Sequence, residues 1–461
     1  MVKRRNLAME EQHSVTPLVS RYLEAYETNA SKIDASSSPL IREPKSEALL
    51  YLKEYGIPTL QSEDYKHTDM VALLDKKWQF PFESEKCRDD EGLPYDRFDN
   101  LDALKVSMSS GSLPDKDTVQ SVIKQMPNGC YVGSLCDFML SDASEQQKKR
   151  VASVYGKHAY PDNDALVALN TLFVSDALLV FIPQGVHCER LLHLNELIDS
   201  SHMRMRNERL VIIVEKEASL ELLLSATEPN ATDAETLALS VVEVDLGPSA
   251  TLSLYNCEET GLKHNRLASF FIRQRAYSQM GIHSVMLHNG ATRNNIWSRF
   301  FGEHASLTLN GMAIVDEERL VDTFNRVEHT KPNCFTDERY KHVAMGHATA
   351  SFTGRIFVSQ GADKTEAYQQ DRNLLLSPDA RVYAKPHLEI YADDVKCSHG
   401  MTTGQLDEQA LFYMQQRGIP LAVAEKILSM AFTEDIISRM PNETLREKLS
   451  EAVKSYYFRE E

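Results

Sequence analysis

The chain has 461 residues, with 67 Asp and Glu against 50 Lys and Arg, a formal charge of −17, 42% hydrophobic residues and 25% charged residues. That balance excludes a disordered chain and supplies apolar material for a large core or two to three domains. The acidic excess, with no basic stripe interleaved by aromatics, argues against nucleic acid as a partner, because a phosphate backbone is held by clustered Lys and Arg.

At the start, Lys3, Arg4 and Arg5 run into Glu10, Glu11, Gln12 and His13 rather than an apolar stretch. No secretory signal is expected, and a cytoplasmic location is the default. Leu18, Tyr22 and Tyr26 recur at i, i+4 and i+8, and Glu47 to Tyr55 is a run of helix formers stopped by Gly56 and Pro58, so helices are expected here. Phe82 to Asp102 is charged and lacks apolar periodicity, as a solvated loop does. The division that follows is a mainly helical domain over 1–124, a β core over 125–400 and a helical domain over 401–461. The most apolar window, Ala165 to Ile182, is broken by Asn170, Thr171, Ser175 and Asp176; it is too polar for a membrane span and predicts buried strands. Cys87, Cys130, Cys136, Cys188, Cys257, Cys334 and Cys397 form no CxxC pair, and reduced thiols are expected.

Beyond about Gln125 the period becomes two: Leu178, Val180 and Ile182 alternate, as do Leu210, Ile212 and Val214. A loose repeat, in which a turn delivers a small residue followed by alternating apolar positions, recurs at Ala218-Ser-Leu220, Ala250-Thr-Leu252, Ala305-Ser-Leu307, Ala350-Ser-Phe352 and Ala380-Arg-Val382. This predicts a mainly β protein, a parallel β-helix whose coils stack on a shared core, with a jelly roll or sandwich as the structural alternative. After His399 helices return. Asp407 caps one that ends at Gly418, Pro420 opens a second reaching about Met440, and Pro441-Asn442 starts a third striped by Leu445, Leu449 and Val453. Such a helical unit could cap the open end of a β-helix.

No GxxxxGK[ST], HExxH, GxSxG or GxGxxG signature is present in the sequence. The compact metal-competent element is Lys396-Cys397-Ser398-His399-Gly400, where Cys397 and His399 would share a strand face. A thiolate with an imidazole suits iron, zinc or copper, but two ligands do not complete a site, so others must come from elsewhere in the chain or from a partner. Weaker candidates are His187-Cys188, adjacent and hence on opposite faces; His329 and Cys334, flanking Lys331-Pro332 in an expected solvated loop; and Glu389, Tyr391 and Asp393 along one strand face. The last set would suit a β-helix carbohydrate lyase or hydrolase if it contained a placed acid pair.

From Glu389 through Cys397-Ser-His-Gly400, Thr402-Thr-Gly-Gln-Leu-Asp407 and Leu411 to Ile419, the chain resembles the SufB/SufD family of the SUF iron-sulfur cluster assembly machinery. The likeness extends to Phe352-Thr-Gly-Arg-Ile356, Gln369, Leu374 to Ser377, Phe181 to Val186 and Glu63-Asp-Tyr-Lys-His-Thr68. Gly400-Met401-Thr402-Thr403 after the histidine is closer to the SufD branch, although Met401 replaces a residue usually small there. The resemblance implies a right-handed parallel β-helix between helical N- and C-terminal domains, in a noncatalytic assembly component working with a SufB-like scaffold and a SufC-like ATPase. It places His399, with Cys397 beside it, near iron or an iron-sulfur cluster held transiently and shared with the partner. It also implies ATPase docking on Arg417-Gly418-Ile419 and the stripe Ile427, Ala431 and Phe432, and a dimer contact along Arg381 to Val395, with a second copy as partner when the chain is isolated.

Overall fold

The computed structural model describes residues 16–35, 37–80, 97–109, 112–160, 164–228 and 232–458. The basic run Lys3 to Arg5, Cys87 and most of the charged stretch from Phe82 lie outside them. The N-terminal helices are α1 (Pro17–Asp34), α2 (Pro39–Arg42), α3 (Lys45–Tyr55) and α4 (Met70–Leu74). Pro17 at the first turn and the Thr16 hydroxyl accepting from the Val19 amide start α1, and Gly56, at φ 70°, closes α3. Next come β1 (Ala103–Ser109), α5 (Lys116–Gln125), β2 (Tyr131–Ser134), α6 (Leu135–Leu140), α7 (Glu145–Ala152), α8 (Ala165–Phe173) and β3 (Leu178–Ile182).

The strands then follow without intervening helices: β4 (Leu191–Leu197), β5 (Arg204–Val214), β6 (Ser219–Thr227), β7 (Thr236–Leu246), β8 (Thr251–Glu259), β9 (His264–Gln274), β10 (Gln279–His288) and β11 (Ala291–Phe300). The series continues with β12 (Ser306–Val315), β13 (Leu320–His329), β14 (Phe335–Ala344), β15 (Thr349–Val358), β16 (Thr365–Leu375), β17 (Arg381–Ile390) and β18 (Val395–Gly404). They form two nine-stranded sheets, β1-β4-β6-β8-β10-β12-β14-β16-β18 and β17-β15-β13-β11-β9-β7-β5-β3-β2. Consecutive strands go to opposite sheets and each pairs in parallel with the strand one coil back; β2 with β3 is antiparallel. This is a parallel β-solenoid, and the sandwich alternative, which needs antiparallel sheets, is set aside.

The repeat has a local cause. At successive corners a non-glycine residue with positive φ (Glu217, Ser249, Tyr277, His304, Asn333) precedes a small buried one (Ala218, Ala250, Ser278, Ala305, Cys334). The small residue's amide closes the turn in several of these, as from Ala218 to the Glu215 carbonyl at 3.2 Å and from Ala250 to Gly247 at 3.2 Å. A tight corner leaves no room for a larger side chain, and the next strand begins at once, so leucines at alternate positions stack inward as Leu220, Leu252 and Leu307 in one continuous core.

Two expectations are corrected. The apolar window from Ala165 to Ile182 is part helix and part strand: Leu178–Ile182 forms the expected buried strand, β3, whereas Ala165–Phe173 forms α8, which is buried on every side, with Leu166, Leu169 and Leu172 against α1 and α3 and Val167 against Val241 and Phe271 of the sheet. A short apolar run reads alike for a buried helix and a buried strand. The C-terminal helices α9 (Glu408–Gln416), α10 (Leu421–Ile437) and α11 (Glu443–Tyr457) do not cap the solenoid's end. Ile436, Ile437, Leu445, Leu449 and Val453 pack on outward-facing Tyr255, Val285, Met312, Ile314 and Val343, along the flank of one sheet. The cap is at the other end, where Val122 and Met126, on and just after α5, join Leu104, Val106 and Val132 in the core. Among the described residues, no helix is long and apolar enough to cross a membrane.

Candidate functional site

At the end of the solenoid away from α5, β17 and β18 are the last strands of their sheets and each has one unpaired edge. Here the interior changes character. Along one row in register the residues run Leu222, Leu254, Ile282 and Leu309, then Glu338, Gln369 and His399. The Gln369 amide donates to Glu338 Oε2 at 2.9 Å, and Asn325 Nδ2 donates to Tyr340 OH at 2.9 Å and lies 3.4 Å from the same Glu338 oxygen. Glu338 is fully buried, and burial pushes its carboxyl up to about 7. In the neighbouring positions, His342 Nδ1 meets Asn373 Oδ1 at 2.8 Å and Asp371 at 3.4 Å, and Asn373 donates to Asp371 at 2.6 Å.

Two glycines make room for this polar interior. A Cβ on Gly354 would stand 2.0 Å from Gln369 Nε2, and one on Gly311 would stand 2.2 Å from the Tyr340 ring. Phe352-Thr-Gly-Arg-Ile356 and Gln369 therefore meet at one place, although they lie on different sheets.

His399 stands at the outer limit of the row, exposed on β18, and among the described residues no hydrogen bond or ion pair ties its imidazole. Cys397 shares its face, as the spacing predicts, but is half-buried against Ile356, Val358, Ala362 and Ala367, and burial raises its thiol pKa. A raised thiol is a poorer metal ligand than a thiolate, so the packing favours a wall role for Cys397 and leaves His399 as the accessible donor. Among the described residues, no three His, Cys, Asp or Glu side chains converge to hold an ion.

The weaker candidates separate. His187 points out to Ser219 Oγ at 2.9 Å while Cys188 points in. His329 and Cys334 are both buried rather than in a solvated loop, a correction to the sequence reading. His329 Nε2 meets Thr336 Oγ1 at 2.9 Å, and burial holds its pKa down at about 3. Cys334 takes the small-residue place of a corner and donates to the Gly302 carbonyl at 3.4 Å. Glu389 is met by His387 Nε2 at 3.3 Å, but β17 ends at Ile390, so Tyr391 and Asp393 fall beyond the strand and the expected common face does not form.

The Glu63 to Thr68 element straps the N-terminal segment to the outer face of the other sheet. Arg293 is its anchor: it lies 4.1 Å over the Tyr65 ring, donates to the Asp64 carbonyl at 2.6 Å and pairs with Asp322 at 2.5 Å, and Asp322 also accepts from the Thr68 hydroxyl at 2.5 Å. Arg355 pairs with Asp64 at 2.5 Å, Lys385 with Glu63, and His67 stacks on Tyr383 at 4.1 Å, so the strap reaches β17 at the open end. No local pattern in the sequence joins these residues, because their partners lie more than 200 positions away.

Of the proposed docking residues, Arg417, Gly418 and Ala431 are exposed, and Ile419 and Ile427 half-exposed. Phe432 is largely turned inward, with Lys341 Nζ 4.5 Å from its ring centre. The sequence reading missed Phe412, Tyr413 and Leu421, which are 62%, 60% and 45% exposed around the turn between α9 and α10; Arg417 lies 5.1 Å over the Tyr413 ring.

Two family models match this chain: the SUF system FeS cluster assembly, SufBD core domain over residues 197–432, and the SufBD protein N-terminal region over 17–194. Protein ABCI7, chloroplastic, of Arabidopsis thaliana is 26% identical over 451 residues, spanning 95% of this chain and 90% of that protein. An iron-sulfur cluster assembly SufBD family protein of Synechocystis is 28% identical over 321 residues, 68% of this chain and 70% of the relative. The iron-sulfur cluster assembly protein SufD of Escherichia coli is 35% identical over 167 residues, 36% of this chain and 40% of that one.

Proposed function

We propose, from the premise that this chain belongs to the SufBD family of SUF iron-sulfur cluster assembly proteins, that it is a SufD-like, noncatalytic subunit that completes a cluster-building site together with a SufB-like partner. The observation that carries this reading is His399: an accessible imidazole on an edge strand, at the head of a buried polar row, without enough neighbouring donors among the described residues to enclose an ion. An iron ion or nascent cluster, which is cargo here and not a resident cofactor, would then be shared, with His399 as this chain's ligand and softer donors supplied across the interface. Cys397 is the second candidate donor. The exposed Phe412, Tyr413 and Leu421 with Arg417, Gly418, Ile419, Ile427 and Ala431 suit the docking of a SufC-like ATPase, since an apolar patch with a cation at its rim fits a partner's amphipathic element. The proposed compartment is the cytoplasm.

The test is to co-express the chain with SufB-like and SufC-like subunits and replace His399 by Ala. Subunit stoichiometry should be retained while iron and sulfide in the purified complex fall several-fold, and Cys397→Ser should have a smaller effect. Unchanged cluster content in the His399→Ala complex would leave this subunit as architecture alone. Loss of complex from Phe412→Glu with Leu421→Glu, the β-solenoid remaining folded, would support the docking assignment; undiminished ATPase binding would remove it.

A further inference from the structure

Cys130 and Cys188 lie at the α5 end of the solenoid, remote from His399 along the sheet order, and the proposed function makes no use of them. Their sulfurs are 3.9 Å apart although the residues are 58 positions apart in sequence. Both are buried, at 5% and 9% exposure, in the first part of the solenoid core, with Val132, Val180, Ile182 and Ala218.

The approach is fixed by backbone on both sides. Cys130 closes a turn through its amide to the Pro127 carbonyl at 3.2 Å, and Gly129 in that turn has φ 85°, with Pro183 so close that a Cβ would stand 3.3 Å from its ring. Cys188 donates its amide to the Ser219 carbonyl at 3.0 Å, and Ser219 returns one to Val186 at 3.0 Å. The turns carrying the two thiols are thus packed against each other and tied to β6. A disulfide needs sulfurs about 2.05 Å apart, so closure asks each sulfur to move about 1 Å, within reach of a side-chain rotation.

We propose that Cys130 and Cys188 are a reversible thiol–disulfide site that a peroxide oxidises. The nucleophile is assigned to Cys188, the less buried of the two. Either sulfur can donate in the hydrogen bond they share; with Cys130 as donor, the Cys188 thiol is drawn down while that of Cys130 is pushed up. The Cys188 thiolate attacks one peroxide oxygen, the O–O bond breaks, and the leaving hydroxide takes the proton released by Cys188 to become water. The Cys188 sulfenic acid is then attacked by Cys130: the S–S bond forms, the S–O bond breaks, and hydroxide leaves with the Cys130 proton as a second water. Two thiols and one hydrogen peroxide give one disulfide and two waters, the two electrons passing from sulfur to peroxide. The bond would close β2, α6, α7, α8 and β3 into one loop and fasten that helical layer to the solenoid's first coil.

The experiment treats the full, reduced chain with hydrogen peroxide, and in parallel with diamide, under native conditions. Remaining thiols are then alkylated and the peptides mapped by mass spectrometry. A Cys130–Cys188 cross-linked peptide lacking two hydrogens, reversed by dithiothreitol and accompanied by a higher melting temperature, is the expected result. In Cys130→Ser, peroxide should leave a sulfenic acid on Cys188 that dimedone traps; in Cys188→Ser the label on Cys130 should be much weaker. Recovery of both residues as alkylated thiols at every oxidant concentration the fold tolerates, or their conversion to sulfinic acid with no cross-linked peptide, overturns the proposal. Because wild-type chain gives the primary readout, a variant that fails to fold does not decide the matter.

Discussion

Glu338 stands in an interior row where earlier coils carry Leu254, Ile282 and Leu309, and it is kept there by Gln369 and Asn325 instead of by a cation. Its carboxyl, ordinarily near 4.5, titrates at about 7 in the fold, so the folded chain holds a proton that the unfolded chain has released. Stability from this group is fully present below about pH 4.5 and is lost as pH rises through about 7, a change on the order of 3 kcal/mol. Glu338→Gln should flatten that arm of the stability profile, raising stability at pH 8 relative to wild type; urea denaturation across the pH range checks it. Gly354→Ala should destabilise by roughly 1–3 kcal/mol, because its Cβ would stand 2.0 Å from Gln369 Nε2. Thermal denaturation measures this, and a longer Glu338 pH arm in the same variant would show that Gln369 had moved, because its hydrogen bond holds that carboxyl's pKa down. The Cys397 and His399 spacing was legible in the sequence because both lie on one strand. Glu338, Gln369 and Asn325 were not legible as a group: a polar residue in an alternating strand reads as surface, and only stacking of coils turns it inward.

At the scale of elements, the strap through Tyr65 and Thr68 shows how a helical segment is held on a sheet's outer face. Arg293 and Asp322 are both buried, so removing one strands the other: Arg293→Ala should lose about 3–5 kcal/mol, whereas Thr68→Val, which leaves the ion pair in place, should lose about 1 kcal/mol. Equilibrium unfolding in urea separates the two, and limited proteolysis should find the N-terminal helices released first in Arg293→Ala. The C-terminal helices were readable because their caps are local: Asp407 accepts from the Gln409 amide at 2.9 Å and Asn442 from Leu445 at 3.0 Å. Helix α8 was misread because its nine residues are all buried, which removes the polar face that gives an amphipathic helix its period.

For the whole molecule, the repeat of a small corner residue followed by alternating leucines was enough to indicate stacked coils, since each coil uses the same local geometry. The face taken by α10 and α11 was not readable, because outward-facing Val285, Met312 and Val343 alternate with inward ones and give an apolar run with no preferred side. The open end exposes Tyr391 at 61% and Met401 at 46%, beside the unpaired edges of β17 and β18. Replacing both by Glu should abolish association with a SufB-like partner, or with a second copy, while the melting temperature stays within a few degrees; light scattering and calorimetry read the two outcomes. The filling of the opposite end by Val122 and Met126 then bears on how many copies can join. We predict that growth stops at a pair: two chains joined through the β17 and β18 edges would each turn outward an end whose core is filled by Val122 and Met126, so a third copy would meet packed side chains instead of an open core.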